Sequence, residues 1–448
     1  MKERISRFFK FSDAGTNLKT ETVAGLTTFM TMAYIIFVNP AILSVPPPAG
    51  SGMDFESVLA ATCIASALTT LLMAFIANYP IALAPGMGMN ALFSFNICGA
   101  MGVPWDIALG IVFLSGVLFV ILTAWGIREK IFMAIPDAIK YGTATGIGLF
   151  IAFIGLKDAG IVVSHPETLV TLGDLSSPPT LLAITGFVIT ACLMAIRFKG
   201  AILVGIIITG LLGIPAGIIQ FSGEIIKIPS ITPTFGKLRI IDALRPLYLA
   251  PIFTFLFFAM FDAIGTLVGV GEKAGFIKQK EFPRLNRALF TDALGSIIGA
   301  ICGTSTVTAY IESASGVAEG GRTGFANIIT SLLFLIALFF SPIAIMFGGG
   351  YQVPGTETRL YPVTAPALII VGSLMVESIV KIDWKDLTEA IPAFLTIIIM
   401  PLTFSISNGL ALGFIAYPIM KLMAGKWREV HWLVYLLAVI FISRYIFL

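Results

Sequence analysis

Charge is what this chain has least of. Only 12% of its 448 residues are Asp, Glu, Lys or Arg, about half the ~25% of a soluble domain. That is too little polar surface to cover a core of this size in water, which excludes a soluble globular protein. Histidine is nearly absent: His165 and His431 stand alone in polar segments, neither placed for a proton relay. Four cysteines, Cys63, Cys98, Cys192 and Cys302, lie far apart in apolar runs. They read as small packing residues, not as disulfides or a metal site. No GxxxxGK[ST] phosphate loop occurs, which excludes an ATP-driven pump, and no HExxH pair for a metalloprotease. The "GMG" at 86–88 is not a dinucleotide fingerprint. No cofactor, metal or nucleic-acid partner is expected.

What the chain has instead is hydrocarbon. Hydrophobic residues make up 57% of it, and the mean hydropathy is +0.97. Apolar runs recur at the ~20-residue length that crosses roughly 30 Å of bilayer core. This pattern predicts an all-α, polytopic membrane protein. Spans are expected near 21–44, 57–77, 80–98, 105–125, 134–157, 180–197 and 200–220, then near 248–271, 286–302, 305–318, 322–347, 361–380, 388–405 and 408–423. A last run, 430–447, either crosses the bilayer or lies along its surface. With the N-terminus in the cytoplasm, fourteen spans place Arg128/Lys130, Arg197/Lys199, Arg322, Lys381/Lys385 and Lys421/Lys426/Arg428 inside. The basic loop "GEKAGFIKQKEFPRLNR" falls inside too, as the positive-inside bias requires. The basic, amphipathic "MKERISRFFKF" reads as a cytoplasmic lead-in without a cleavage site.

The two sets of seven spans carry a faint repeat. A shift of 226 lays "FMTMAYIIFVNP" on "FLFFAMFDAIGT" and "SALTTLLMAFIA" on "DALGSIIGAICG". A slightly larger shift aligns Pro136, Ile139 and Gly142 with Pro366, Ile369 and Gly372. An odd number of spans per unit makes the second unit enter from the opposite side, so the expected architecture is two inverted seven-span repeats.

Two stretches are too polar or too broken for lipid-facing helix: "PIALAPGMGMNALF", 80–93, and "GTSTVTAYIESASGVAEGG", 303–321. They are related by the same shift. Glycines and small residues also let helices pack closely. Here, however, a carboxylate accompanies the break, and unwound backbone inside a bilayer persists only against protein or a water-filled cavity. Asp262 and Glu312 both fall in the middle of apolar spans, with no Lys or Arg at similar depth. Residues of this kind mark ion and substrate pathways. Each can accept hydrogen bonds, bind and release a proton, or hold another coupling cation. Asp292 and Glu377, nearer span ends, read as structural, Asp292 as a helix cap.

The segments "AGLTTFMTMAYIIFVNP", "YPIALAPGMGMNA", "FDAIGTLVGV", "GTSTVTAYIESASGVAEGGRTG", "TAPALIIVG" and "IPAFLTIIIMPLTFSISNGLALGF" occur in this order. In them the chain resembles the nucleobase/ascorbate (xanthine/uracil permease) superfamily, and within it the adenine–guanine–hypoxanthine permease branch, closest to the bacterial guanine/hypoxanthine permeases. The resemblance implies a core domain, 1–130 and 245–350, and a gate domain, 131–225 and 358–448, with the C-terminal apolar helix in the latter. It implies short strand-like breaks in spans three and ten, flanking a purine base taken up by alternating access with H⁺, or Na⁺, as coupling ion. Carried over by motif, Asp262 and Glu312 bind substrate and couple protons, and Asn90 contacts the base. Thr266 stands where uracil-type relatives place a histidine, and Ser313 follows Glu312 where those branches have Asn. Backbone near Gly88–Asn90 and Ala309–Ser313 is expected to meet the base, with Phe261, Phe93 and Tyr310 as stacking candidates. The resemblance also implies a plasma-membrane carrier and allows a homodimer. An anion carrier of the same architecture, and an intramembrane aspartyl hydrolase using Asp262 and Glu312 as a pair, are the competing readings.

Overall fold

A computed structural model describes residues 2–125, 134–220, 223–276, 282–356 and 358–447. Arg128 and Lys130 of the expected inside loops, and Lys278 and Lys280 of the basic loop, lie outside the described residues. The chain is a helical bundle in which the only strands among the described residues form three two-stranded pairs: β1 (Leu83–Pro85) with β4 (Val307–Ala309), β2 (Val162–His165) with β3 (Leu169–Leu172), and β5 (Tyr351–Gln352) with β6 (Arg359–Leu360). Among the described residues eight helices are each long and apolar enough to cross a membrane: Leu18–Leu43, Phe55–Ala77, Trp105–Ala124, Asp137–Asp158, Pro178–Ala195, Pro246–Lys273, Leu285–Cys302 and Ile406–Met423. Ala201–Gly213, Phe325–Ala337, Leu387–Leu402 and Trp432–Ser443 are apolar but shorter. The reason for the shortness is local. Leu387–Leu402 carries Pro392 and Pro401 inside it, and the helix ahead of Phe325 is interrupted by Gly320 in a left-handed conformation (φ +96°).

Packing divides the helices by partner. Trp105–Ala124 lies against Leu249–Lys273 and Leu285–Cys302, and Leu18–Met32 lies against Ser313–Ala318 and Phe325–Ala337. Elsewhere Asp137–Asp158 is clasped by Ala365–Met375 and Leu387–Leu402, and the latter packs on Ile406–Met423. The C-terminal Trp432–Phe447 leans on Ile406–Met423, with Phe414 and Phe441 rings 5.9 Å apart.

Small residues permit the closest of these approaches. A Cβ at Gly295 would sit 2.5 Å from the Val307 carbonyl oxygen, and one at Gly316 equally close to that of Ala24. The packing role of glycine and the break role therefore coexist in one segment: Gly303 ends a helix at φ +89°, while Gly316 lets a helix dock. Glu21, fully buried, accepts from the backbone N–H of Arg322, Thr323 and Ala326 and so ties the first long helix to the start of Phe325–Ala337.

Three details differ from expectation. Cys192 is exposed on Pro178–Ala195, whereas Cys63, Cys98 and Cys302 are buried as packing residues. The segment between the spans expected near 134–157 and 180–197 is not plain loop but holds a hairpin, Val162–His165 paired with Leu169–Leu172. Asp292 does not cap a helix: the N-cap position of Leu285–Cys302 is Arg284, and Asp292 lies two turns in, fully buried.

Replacing Gly295 by Val should force the helix off the strand it touches, at a cost of about 1–3 kcal/mol for overpacking. Thermal unfolding in detergent checks this: the midpoint falls for Gly295→Val, and stays unchanged for Gly265→Ala, where a Cβ meets no atom within 4 Å.

Candidate functional site

Pro85 lacks an N–H and Gly86 resists helix, so the chain that leaves Phe55–Ala77 cannot re-enter a helix until Met87. On the other side, "TSTVT", 304–308, is rich in β-branched residues that favour extended backbone. The two breaks meet as an antiparallel pair of strands, β1 (Leu83–Pro85) and β4 (Val307–Ala309), with Leu83 opposite Ala309, Ala84 opposite Thr308 and Pro85 opposite Val307. Two further backbone bonds extend the ladder, Gly86 N–H to Thr306 O (3.0 Å) and Tyr310 N–H to Ala82 O (3.0 Å). Every residue of both strands is buried.

Side chains complete the satisfaction of this irregular backbone. Thr70 Oγ1 accepts from Leu83 N–H (2.9 Å) and donates to Leu83 O (3.0 Å). Asp292 Oδ1 accepts from Ala309 N–H (2.8 Å) and Thr308 Oγ1 (3.0 Å). Ser313 Oγ accepts from Ala82 N–H (3.0 Å), and Tyr310 OH donates to Pro85 O (2.5 Å). Asn39 Nδ2 donates to Thr62 Oγ1 (2.7 Å) and Thr304 Oγ1 (2.9 Å). Asn90 Oδ1 accepts from Ser305 Oγ.

Beyond the strand ends stand two carboxylates. Glu312 sits at the turn into Ser313–Ala318, partly exposed, and its Oε1 accepts a 2.6 Å hydrogen bond from the buried Tyr34 hydroxyl. Its backbone oxygen accepts from Ser315 Oγ (2.6 Å), which also bonds Thr31 Oγ1 (2.8 Å). Asp262, midway along Leu249–Lys273, is exposed, and its Oδ2 lies 3.6 Å from where a Cβ of Gly86 would be. It is within electrostatic reach of both Asp292 and Glu312. Among the described residues neither Asp262 nor Glu312 forms an ion pair.

Asp262, Gly265 and Gly269 share one helix face by their spacing of three and four residues. A Cβ at Gly265 would meet nothing within 4 Å, and one at Gly269 only Ile311, itself 48% exposed. This face borders open space beside Asp262, and the partly exposed Glu312 lies within electrostatic reach of that carboxylate. The geometry offers acceptors for N–H donors of a small flat molecule and repels an anion.

The remaining candidates are distributed unevenly. Gly88 is partly exposed and faces Asp137–Asp158: its Cβ would lie 3.0 Å from Ile147 Cγ2. Asn90 is fully buried, and its Nδ2 meets no acceptor among the described residues. Thr266 is buried on the helix of Asp262, and Ser313 is buried and engaged with the strand. Phe93 is fully buried and Tyr310 nearly so; Phe261 alone of the three aromatic candidates is partly exposed, its ring 4.4 Å from that of Phe257. Sequence reasoning missed Tyr34, Thr70 and the bonding of Asp292. A signal existed for Tyr34, the single phenol in "FMTMAYIIFVNP".

A family model described as "Permease family", of the xanthine/uracil type, matches residues 19–412. The guanine/hypoxanthine permease PbuG of Bacillus subtilis is 46% identical over 451 residues, covering 99% of this chain and 100% of that protein. The adenine permease AdeP of Escherichia coli is 42% identical over 445 residues, 99% and 96% of the two chains. Among solved structures, the transmembrane domain of the cyanobacterial bicarbonate transporter BicA superposes with a TM-score of 0.63 at 15% identity, over 88% of this chain and 97% of that one. The last likeness is one of fold.

If the Gly265 face borders water, Gly265→Cys should react with a small charged thiol reagent when Cys192 is replaced by Ser, while buried Cys63 stays unmodified. Mass spectrometry reads the adduct, and an unreactive Cys at 265 contradicts a water-filled volume there.

Proposed function

Because this chain belongs to the xanthine/uracil permease family, a family of multi-pass membrane permeases, we propose that it carries purine nucleobases, guanine and hypoxanthine foremost, into the cell across the plasma membrane. The observation that carries the reading is the pair of carboxylates, Asp262 and Glu312, standing beside one open volume without a cation. A 6-oxopurine is neutral at pH 7 and presents ring N–H groups that such carboxylates accept. Relatives named for guanine/hypoxanthine and for adenine support the substrate class.

Tyr34 holds Glu312 in place and Phe261 supplies an apolar face beside Asp262. The β1–β4 pair holds the ends of the broken helices at fixed distance, so the site moves as a unit with its helices. Alternating access then consists of the core (1–130 and 245–350) shifting against the gate (131–225 and 358–448), with the contact between Gly88 and Ile147 on the sliding boundary. Fourteen spans, an N-terminus in the cytoplasm and a proton as coupling ion complete the proposal, with Na⁺ as the coupling alternative; a homodimer is compatible with it.

Uphill uptake of a neutral base needs a coupled cation. One proton moving down ~100 mV supplies about 2.3 kcal/mol, enough for roughly 40-fold accumulation. A carboxyl protonated from outside and released inside makes the link, and Glu312, with one oxygen held by Tyr34, is the proposed carrier of that proton. An anion cargo fits less well, because it would have to approach two carboxylates.

Uptake of radiolabelled hypoxanthine by cells lacking their own purine carriers tests this. Saturable accumulation of unchanged hypoxanthine is expected, competed by guanine and abolished by a protonophore. Asp262→Asn and Glu312→Gln should each lower the initial rate at least about 100-fold at equal membrane abundance. Near-normal uptake in both variants overturns the assigned roles, and accumulation that follows a sodium gradient instead replaces the proton.

A further inference from the structure

At the far end of the helices that carry the breaks, the structure holds a second concavity unconnected with the carboxylates. It is a cavity of about 580 Å³ between the N-terminal helix Lys2–Phe9, the end of the Met73–Ala77 turn and the start of Leu285–Cys302. Four cationic side chains line it, Lys10, Arg284, Arg287 and Arg322, against one carboxylate, Asp13. Two of the four are fixed in place. Arg284 lies over the Tyr79 ring at 4.3 Å and donates to Asn78 O (3.2 Å), and Tyr79 in turn stacks on Phe276 at 4.7 Å. Arg322 donates to the carbonyls of Val317 and Gly321 (2.7 Å each). The other two are spare: the side chains of Lys10 and Arg287 are exposed and, among the described residues, make no hydrogen bond or ion pair.

The opposite rim is apolar. Phe8 is 62% exposed and Phe75 54% exposed, their rings in edge contact at 6.1 Å. Phe75 lies near the end of a membrane-crossing helix, Phe55–Ala77, and Phe8 on a helix, KERISRFF, that combines Lys, Glu and Arg with Ile and Phe. Such a helix lies in the headgroup region with its apolar side toward the acyl chains. A soluble phosphate would satisfy the cations and leave both rings in water. An amphiphile covers both halves.

We infer that this cavity is a binding site for an anionic phospholipid, its phosphate held among Lys10, Arg284 and Arg287 and its acyl chains running past Phe8 and Phe75. The lipid staples the N-terminal helix to the Leu285–Cys302 helix, on which Asp292 and the strand-contacting glycines lie. It is thereby a structural ligand of the bundle, lined by neither Asp262 nor Glu312 and independent of what the carrier transports.

The test uses the full chain, purified and delipidated in nonionic detergent. Phosphatidylglycerol, phosphatidylcholine, guanosine monophosphate and inorganic phosphate are added separately. Native mass spectrometry counts retained lipid, and thermal unfolding reads the midpoint. Phosphatidylglycerol should be retained and raise the midpoint, and phosphatidylcholine should do neither. A basic residue near an anionic lipid is worth about 1 kcal/mol, or about fivefold in affinity. Lys10→Gln and Arg287→Gln should each weaken retention by that factor and together by roughly 25-fold. Their lipid-free midpoint should match that of the parent, because neither side chain bonds within the protein. Equal response to the two lipids, undiminished retention by the double variant, or displacement of phosphatidylglycerol by equimolar guanosine monophosphate each overturns the inference.

Discussion

In a hydrocarbon solvent a backbone N–H or C=O without a partner costs several kcal/mol, and a helix break exposes several at once. The fold answers this by making two breaks satisfy each other. β1 and β4 come from segments more than 200 residues apart, and their five-step ladder from Ala82 to Gly86 replaces the helical bonds that Pro85 and the Thr-rich stretch remove. Almost everything else near the site serves that pairing. Thr70, Asp292, Ser313 and Tyr310 bond its edges, and the glycines at 295 and 299 give the neighbouring helix room to lie directly on it.

The chemistry of the site follows from where this arrangement ends. The strands stop where Tyr310 and Gly86 begin, and the next acidic groups on either side, Glu312 and Asp262, are left beside open volume rather than inside packed hydrocarbon. Asp292 belongs to the same acidic group but is consumed by backbone, so the three carboxyls divide into one that builds and two that face outward. Uncompensated acidic charge at such depth is costly, and its persistence argues for use rather than for structure. The fold is shared, at 15% identity, with the membrane domain of a bicarbonate transporter, so the architecture by itself names no cargo.

Much of this was legible in the sequence, for identifiable reasons. Membrane crossing follows from composition and run length. The two breaks show in Pro85, Gly86 and the "GTSTVT" stretch, and the two exposed acids in their isolation within apolar runs. What the sequence hid was direction. Ser313 and Asn90 are polar beside a break, and their burial and their bonds to Ala82 N–H and Ser305 Oγ could not be read from the sequence. Phe93 is as aromatic as Phe261 and is wholly buried, since helical phase is lost when winding changes at the break. Asp292 stands two turns inside Leu285–Cys302, and its role as an acceptor for the strand at Thr308 and Ala309 shows only in three dimensions. Helix ends were harder to read from composition: the apolar run past Pro401 continues to 405 while the helix stops at Leu402, and Gly320 separates Ser313–Ala318 from Phe325–Ala337.

A structure determined with guanine bound addresses the central claim most directly. The account places the purine ring between the open ends of β1 and β4 and the Asp262 face of its helix, within hydrogen-bonding distance of both Asp262 and Glu312. A ring bound elsewhere, or one that touches neither carboxylate, contradicts it.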